Sequence, residues 1–265
     1  MGTVSKALSL LSYFSRVSPE IGLSELSRLS GLNKATVYRL MTELADQGFV
    51  EQVGTGRQYR LGPIYLRLAA LREAAVPTRE VAQKVLSRLC EATGETSHMS
   101  MIEGEQLTVV SYCYSPMHGT RVTMEDAERI SFHSTSSGHA MLAFSPKAFV
   151  DEVLSQPLEK KTDLTETDPD VIRARLSEVR ALGYSESVSG HEMDVHSHAC
   201  PIFNARQACF GAVAVAAPVA RMTDELRDTI RQEVCRASLN MTRLLGGFVP
   251  DEFKMKSEAL LAEPS

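Results

Sequence analysis

No run in this 265-residue chain approaches the roughly 18 consecutive apolar residues of a membrane-spanning helix. Residues 1–11 carry neither a basic leader nor a small-residue cleavage site, so the expectation is a cytoplasmic protein with no membrane partner. The five cysteines, Cys90, Cys113, Cys200, Cys209 and Cys235, are odd in number, scattered and free of any CxxC pair. That pattern argues against a disulfide framework and fits a reducing compartment. Also missing are the GxSxG elbow, the HExxH helix, the phosphate loop and the dinucleotide fingerprint. Hydrolysis would have to rest on Ser137 near His139, or on Asp194 among histidines, with no supporting motif, so no enzyme is expected.

What is present suits an ordinary soluble chain, with 43% hydrophobic and 23% charged residues. Its length suggests two domains. The net charge of -5 conceals a division: residues 1–72 hold nine Lys or Arg against five Asp or Glu, and the remainder is acidic. A mildly basic head suits approach to a polyanion.

That head reads as three short helices and a hairpin. Leu8, Leu11 and Phe14, with Leu10 beside them, predict a first helix over residues 5–15. Ser24 is placed to cap a short second helix that Gly31 ends. Asn33 is placed to cap a third, whose buried stripe is Val37, Leu40, Met41 and Leu44. Its other face offers Lys34, Ala35, Thr36, Tyr38 and Arg39 to base edges and phosphates in a major groove. Residues 49–53 and 57–61 flank Gly54-Thr55-Gly56 as a β-hairpin wing, from which Arg57 and Arg60 could reach phosphates or the minor groove. For any single basic residue, a merely solvated side chain is the plain alternative.

The run Gly31-Leu32-Asn33-Lys34-Ala35-Thr36-Val37-Tyr38-Arg39-Leu40, followed by Gln47-Gly48-Phe49-Val50-Glu51 and Tyr59-Arg60-Leu61-Gly62, resembles the DNA-binding domain of the IclR family. Further landmarks follow in family order: Thr93-Gly94-Glu95-Thr96-Ser97-His98, the segment 132–143, Arg180-Ala181-Leu182-Gly183-Tyr184 and Ala199-Cys200-Pro201-Ile202. The resemblance implies an α+β protein, with a winged helix-turn-helix over residues 1–62 and a linker and dimerisation helix over 63–76. A GAF-like effector-binding domain with an antiparallel sheet would occupy 77–248, and a tail 249–265. It further implies a homodimer or homotetramer on a double-stranded operator.

In the linker, Ile64, Leu68 and Leu71 could pack on a second copy or on their own domain. Residues 136–155, 170–182 and 223–245 read as helices, and 97–102, 107–113, 184–189, 197–203 and 208–216 as strands. By resemblance, a small-molecule effector is lined by Ser136, Ser137, Val122, Val195, Ser197, His198, Ala214 and Ala216. The alanines stand where family members that bind very small acids carry hydroxyls, which points to a bulkier ligand. Ser136-Ser137-Gly138 before a helix could hold a carboxylate or simply cap the helix, and Arg121 and Arg129 could pair with such an anion.

The segment 191–200 departs from the family pattern, which carries glycine and apolar residues around the place of Asp194. If it is extended, His196, His198 and Cys200 share a face and form a ligand set for zinc or a similar divalent metal, with His133 or His191 as a fourth. His-rich strands also line polar cavities without metal. The leading expectation is therefore a ligand-responsive repressor or activator of a catabolic or metabolic operon, with a small carboxylic acid as effector and no further cofactor. A metal-responsive regulator is the alternative. A third possibility is a C-terminal domain that only dimerises.

Overall fold

The computed structural model describes residues 2–15, 18–54, 58–75, 78–104, 106–125 and 128–263. The chain divides into two compact units, Met1–Pro77 and Thr78–Ser265.

The first unit holds α1 (Thr3–Leu11), α2 (Leu23–Ser30) and α3 (Lys34–Asp46), then β2 (Val50–Val53) and β3 (Gln58–Leu61), with β1 (Ile21–Gly22) preceding α2. The strands pair antiparallel in the order β1-β3-β2. Leu10, Leu26, Val37, Leu40, Met41, Val50 and Tyr59 fill the core between helices and sheet. The first helix ends earlier than its apolar spacing suggests, and Leu10 is its buried residue while Leu8 is exposed. Gly22, and not Ser24, is the N-cap of α2, while Gly31 ends it at φ 67°, a left-handed position that suits glycine. Asn33 caps α3 by accepting from the Thr36 amide at 2.8 Å. The wing tip with Arg57 lies outside the described residues. After the wing, α4 (Ile64–Ala75) leaves Leu66, Leu68 and Leu71 exposed, and Tyr65 meets Phe49 edge to face.

The second unit opens with α5 (Thr78–Thr93). Six antiparallel strands follow through the chain: β4 (Thr96–Glu103), β5 (Gln106–Cys113), β6 (Arg129–Ile130), β7 (Ser185–Val188), β8 (Val195–Phe203) and β9 (Cys209–Pro218). Their order is β6-β5-β4-β9-β8-β7. On the strongly apolar β9, the residues Gly211 to Ala217 are all buried, as both-sided cover requires. One face is covered by α5 and α9 (Asp224–Leu244), the other by α6 (Ser136–Ala143), on which α8 (Pro169–Leu182) packs. Neighbouring residues on β4 show the two faces: the Ser97 hydroxyl donates to the Leu86 carbonyl of α5, whereas His98 meets Ser137 of α6. The family landmark Glu95 is buried and takes a two-pronged bond from Arg221, which ties the start of β4 to the turn after β9.

Two further expectations are corrected in the second unit. The single helix predicted over residues 136–155 is two, α6 and α7 (Lys147–Ser155), because Pro146 lacks an amide donor and disfavours helical geometry at Ser145. The C-terminal tail contains a docked helix, α10 (Asp251–Ala262), whose Phe253, Ser257 and Leu260 repeat at helical spacing and are buried.

The start of α6 is the tightest point near the sheet. A Cβ on Gly138 would come within 2.2 Å of the Phe132 carbonyl oxygen and 2.4 Å of its Cα. Backbone cannot yield as a flexible side chain does, so Gly138→Ala is expected to destabilise the second unit by about 2–3 kcal/mol. At Gly119 a Cβ would meet nothing within 4 Å, so Gly119→Ala should leave the melting curve nearly unchanged. Thermal unfolding followed by circular dichroism compares the two variants.

Candidate nucleic-acid interface and effector cavity

On α3, the buried stripe of Val37, Leu40, Met41 and Leu44 turns the opposite side outward. Ala35, Tyr38, Arg39 and Thr42, spaced i, i+3, i+4 and i+7, form that exposed stripe. Lys34 is exposed at the helix start, and Thr36 is half-buried. Tyr38 is a large ring left in solvent with no apolar cover, 55% exposed. On the wing, Arg60 donates to Glu51 across the β2–β3 pair at 2.6 Å. Its guanidinium is therefore partly neutralised in this form.

In the second unit, register decides which residues meet. His98, Ala214 and Ala199 stand directly across from one another, as do Thr96, Ala216 and Ser197, on the side covered by α6. There a cavity of about 60 Å³ is bordered by Val122, Ser136, Ser137, Val195, Ser197 and Ala216, all anticipated, together with His98, Thr135, Ser187 and His191. Glu128 and Glu192 lie on its border as well.

Two anticipated lining residues are not there. His198 follows Ser197 by one residue and so points to the other face, beneath α9; no strand can turn both inward. Ala214 is on the correct face but belongs to the apolar core beneath α6, with Ala199 and Ala212. Ala216 borders the cavity, whereas Ala214 stands across from His98 in the core beneath α6 and leaves no room there. Arg121 and Arg129 also stand elsewhere: Arg121 lies over the Tyr114 ring at 4.4 Å, and Arg129 borders a separate groove with Glu152 and Lys161.

The His196, His198 and Cys200 set does share one face, but the thiol does not join the imidazoles. Cys200 donates to the Gly183 carbonyl at 3.6 Å, and burial pushes its thiol well above the ordinary range. The acid that meets the histidines is Glu186, directly across from His198 on β7. Asp194 sits at φ 64°, in the left-handed region that a short polar residue tolerates, and its carbonyl accepts from the Val219 amide at 2.8 Å. Its departure from glycine is thus accounted for by the turn.

The cavity floor has a definite hydrogen-bond pattern. Thr135 caps α6, its hydroxyl accepting from the Gly138 amide at 3.0 Å, so the two serines are not the caps. The first-turn amides of Ser136 and Ser137 have no helical carbonyl to donate to. Ser185 and Ser187 of β7 anchor the approach, donating to the Ser136 and Ser134 carbonyls at 2.6 and 3.0 Å. His98 Nε2 lies 3.3 Å from the Ser137 hydroxyl, and its Nδ1 has no partner. Sequence reasoning passed over His98 as a site residue. The signal was the alternation Thr96, His98, Ser100 on a strand buried on both faces, where apolar residues would be the default.

Residues 3–54 match the IclR helix-turn-helix domain, and residues 71–243 match the C-terminal domain of the bacterial transcriptional regulator IclR. The chain belongs to the IclR family. A crystal structure from Silicibacter sp. TM1040, assigned as an IclR transcriptional regulator, is 55% identical with a TM-score of 0.92, covering 96% of this chain and 99% of that one. The transcriptional repressor IclR of Escherichia coli K12 is 24% identical over 247 residues, spanning 92% of this chain and 90% of the repressor. An IclR homologue from Microbacterium hydrocarbonoxydans, solved with 4-hydroxybenzoate, shares the fold at 22% identity and a TM-score of 0.56, covering 91% of this chain and all of that one. This chain is thus a DNA-binding transcription regulator of IclR type, and the family is not one of enzymes. Among the described residues, no helix is long and apolar enough to cross a membrane.

Burial of neutral histidines gives this IclR regulator a pH signature. Burial pushes His98 down to about 4. Burial also pushes His139 down to about 4, opposed in part by the bond its Nε2 donates to the His133 carbonyl. Both are depressed below the ordinary value of about 6.5, so the unfolded chain binds protons that the folded one refuses. The stability they permit at neutral pH is therefore expected to fall as pH drops from about 6.5 toward 4. The slope is on the order of 1.4 kcal/mol per pH unit for each histidine. Urea unfolding at pH 7 and pH 5 measures it, and His139→Gln should flatten the slope.

Proposed function

We propose that this IclR regulator binds a double-stranded operator through α3 and its wing, as a dimer paired along α4, under the control of a small organic acid in the cavity beneath the start of α6. The observation that carries the effector reading is the set of unused donors there. The Ser136 and Ser137 amides, which have no helical carbonyl to donate to, lie beside His98, which is hydrogen-bonded to the Ser137 hydroxyl, is held neutral by burial and has a free Nδ1. A carboxylate suits donors at a helix start. Glu128 and Glu192 at the border favour a ligand that also brings a donor, such as a hydroxy acid. A cavity of about 60 Å³ accommodates on the order of four to six water-sized groups. That favours a compact acid over a bulky one. The relative that holds 4-hydroxybenzoate supports acids as a class. The exposed Leu66, Leu68 and Leu71 support pairing along α4, since a palindromic operator asks for two reading helices.

Thermal shift against a panel of short hydroxy acids, aromatic acids and their neutral amides tests the effector reading. A compact acid is expected to raise Tm while its amide does not, and Ser137→Ala is expected to weaken the acid by about tenfold. Silence across all the acids would refute it. On the DNA side, Arg39→Ala is expected to lower affinity for a selected operator by about 1–3 kcal/mol, and random DNA by much less. Equal loss on both would assign Arg39 to phosphates instead.

A further inference from the structure

We propose that Glu186, His196 and His198 form a binding site for a zinc-class divalent cation on the side of the sheet that faces α9, opposite the effector cavity. Strand alternation turns both imidazoles to this side, where their rings stack with centroids 5.0 Å apart and planes 19° apart. The β7–β8 register sets Glu186 directly across from His198. The three ligand atoms, one carboxylate oxygen and two ring nitrogens, all lie within 4.8 Å of one another. Bonds of about 2.0–2.2 Å in a tetrahedral site call for neighbours roughly 3.3 Å apart, so small side-chain movements close the cluster on an ion.

The second observation is His198 itself. It is 0% exposed; its Nδ1 has no partner, and its Nε2 lies 3.4 Å from Glu186 Oε1 without hydrogen-bond geometry. A wholly buried imidazole with neither nitrogen satisfied is costly, and coordination at Nε2 would satisfy one. Glu186, 39% exposed, gives the ion a way in.

The resident cation is Arg227 of α9, its Nε 3.5 Å from Glu186 Oε1. It also bonds Asp224 at 3.1 Å, and so has somewhere to go when a metal arrives. Competition with Arg227 predicts an affinity that rises when this arginine is removed. Three protein ligands leave the fourth position to solvent. Because the opposite face of β7 holds Ser185 and Ser187 against the approach to α6, an ion joining β7 to β8 also steadies that approach.

The test uses the full chain, stripped with chelator and titrated with zinc chloride in a non-coordinating buffer, with calorimetry and elemental analysis after gel filtration. One equivalent of zinc per chain is expected. Glu186→Gln, a change at a partly exposed site that keeps the shape, is expected to weaken binding by about tenfold or more. His198→Ala should abolish it, and Arg227→Ala should tighten it. No stoichiometric zinc in the wild-type chain would overturn the proposal, as would binding left unchanged by both Glu186→Gln and Arg227→Ala. The effector reading is independent, since its cavity and its carboxylic-acid panel lie on the other side of the sheet.

Discussion

Both faces of the six-stranded sheet are covered by helices, and this double cover constrains nearly everything else in the second unit. On a sheet open to water on one side, a misplaced side chain can be solvated. In its central strands each buried residue is committed either to the side of α5 and α9 or to the side of α6, and a polar residue buried on either side must find a partner. The strand Val195–Phe203 shows the consequence. Val195 and Ser197 border the cavity beneath α6, while His196 and His198 turn toward α9 and Glu186. Two polar sites with different chemistry therefore lie back to back on one strand, separated only by the thickness of the backbone.

The start of α6 is where that constraint becomes a binding geometry. Thr135 takes the capping role, Gly138 permits the helix to press on the Phe132 backbone, and Ser185 and Ser187 reach up from β7 to the carbonyls of Ser136 and Ser134. With capping assigned to Thr135, the amides of the next two residues are left for something else. A helix start held so firmly loses little freedom when it receives a ligand, which is what preorganised recognition requires. The geometry thus favours a receptor over a domain that serves only to pair subunits, because a scaffold gains nothing from unused donors in its interior.

Much of this was legible in the sequence where local rules act alone. Asn33 as the cap of α3, Gly31 as the end of α2, the helix over residues 170–182 and the strand over 208–216 follow from residue chemistry and periodicity. The resemblance placed Val122 and Ala216 beside the serines, which spacing alone could not. The reading missed wherever a register or a packing partner decided the outcome. His198 was assigned to the cavity although its neighbour Ser197 already was. Cys200 was preferred as a ligand over Glu186, which stands across the ladder and a dozen residues away, where no local spacing points to it. Pro146 was overlooked as a helix break, and the helix of residues 251–262 was taken for a tail because its burial depends on the second unit receiving Phe253.

The buried histidines give a final reason to read the interior as functional. His98 and His139 each keep an Nδ1 without a partner, and each is held neutral by burial at some expense to stability in mild acid. An apolar residue of similar size at either place would avoid that cost. At His139 the bond donated to the His133 carbonyl, 2.6 Å long, gives a structural return by pinning the segment ahead of α6. No comparable bond to the backbone is made by His98. Its one contact is with the Ser137 hydroxyl, its free nitrogen belongs to a residue bordering the cavity, and its position directly opposite Ala214 puts it where the sheet is most apolar. A polar group kept at such a place, and satisfied only on the side of the cavity, is consistent with the proposed effector, which would complete its hydrogen bonds.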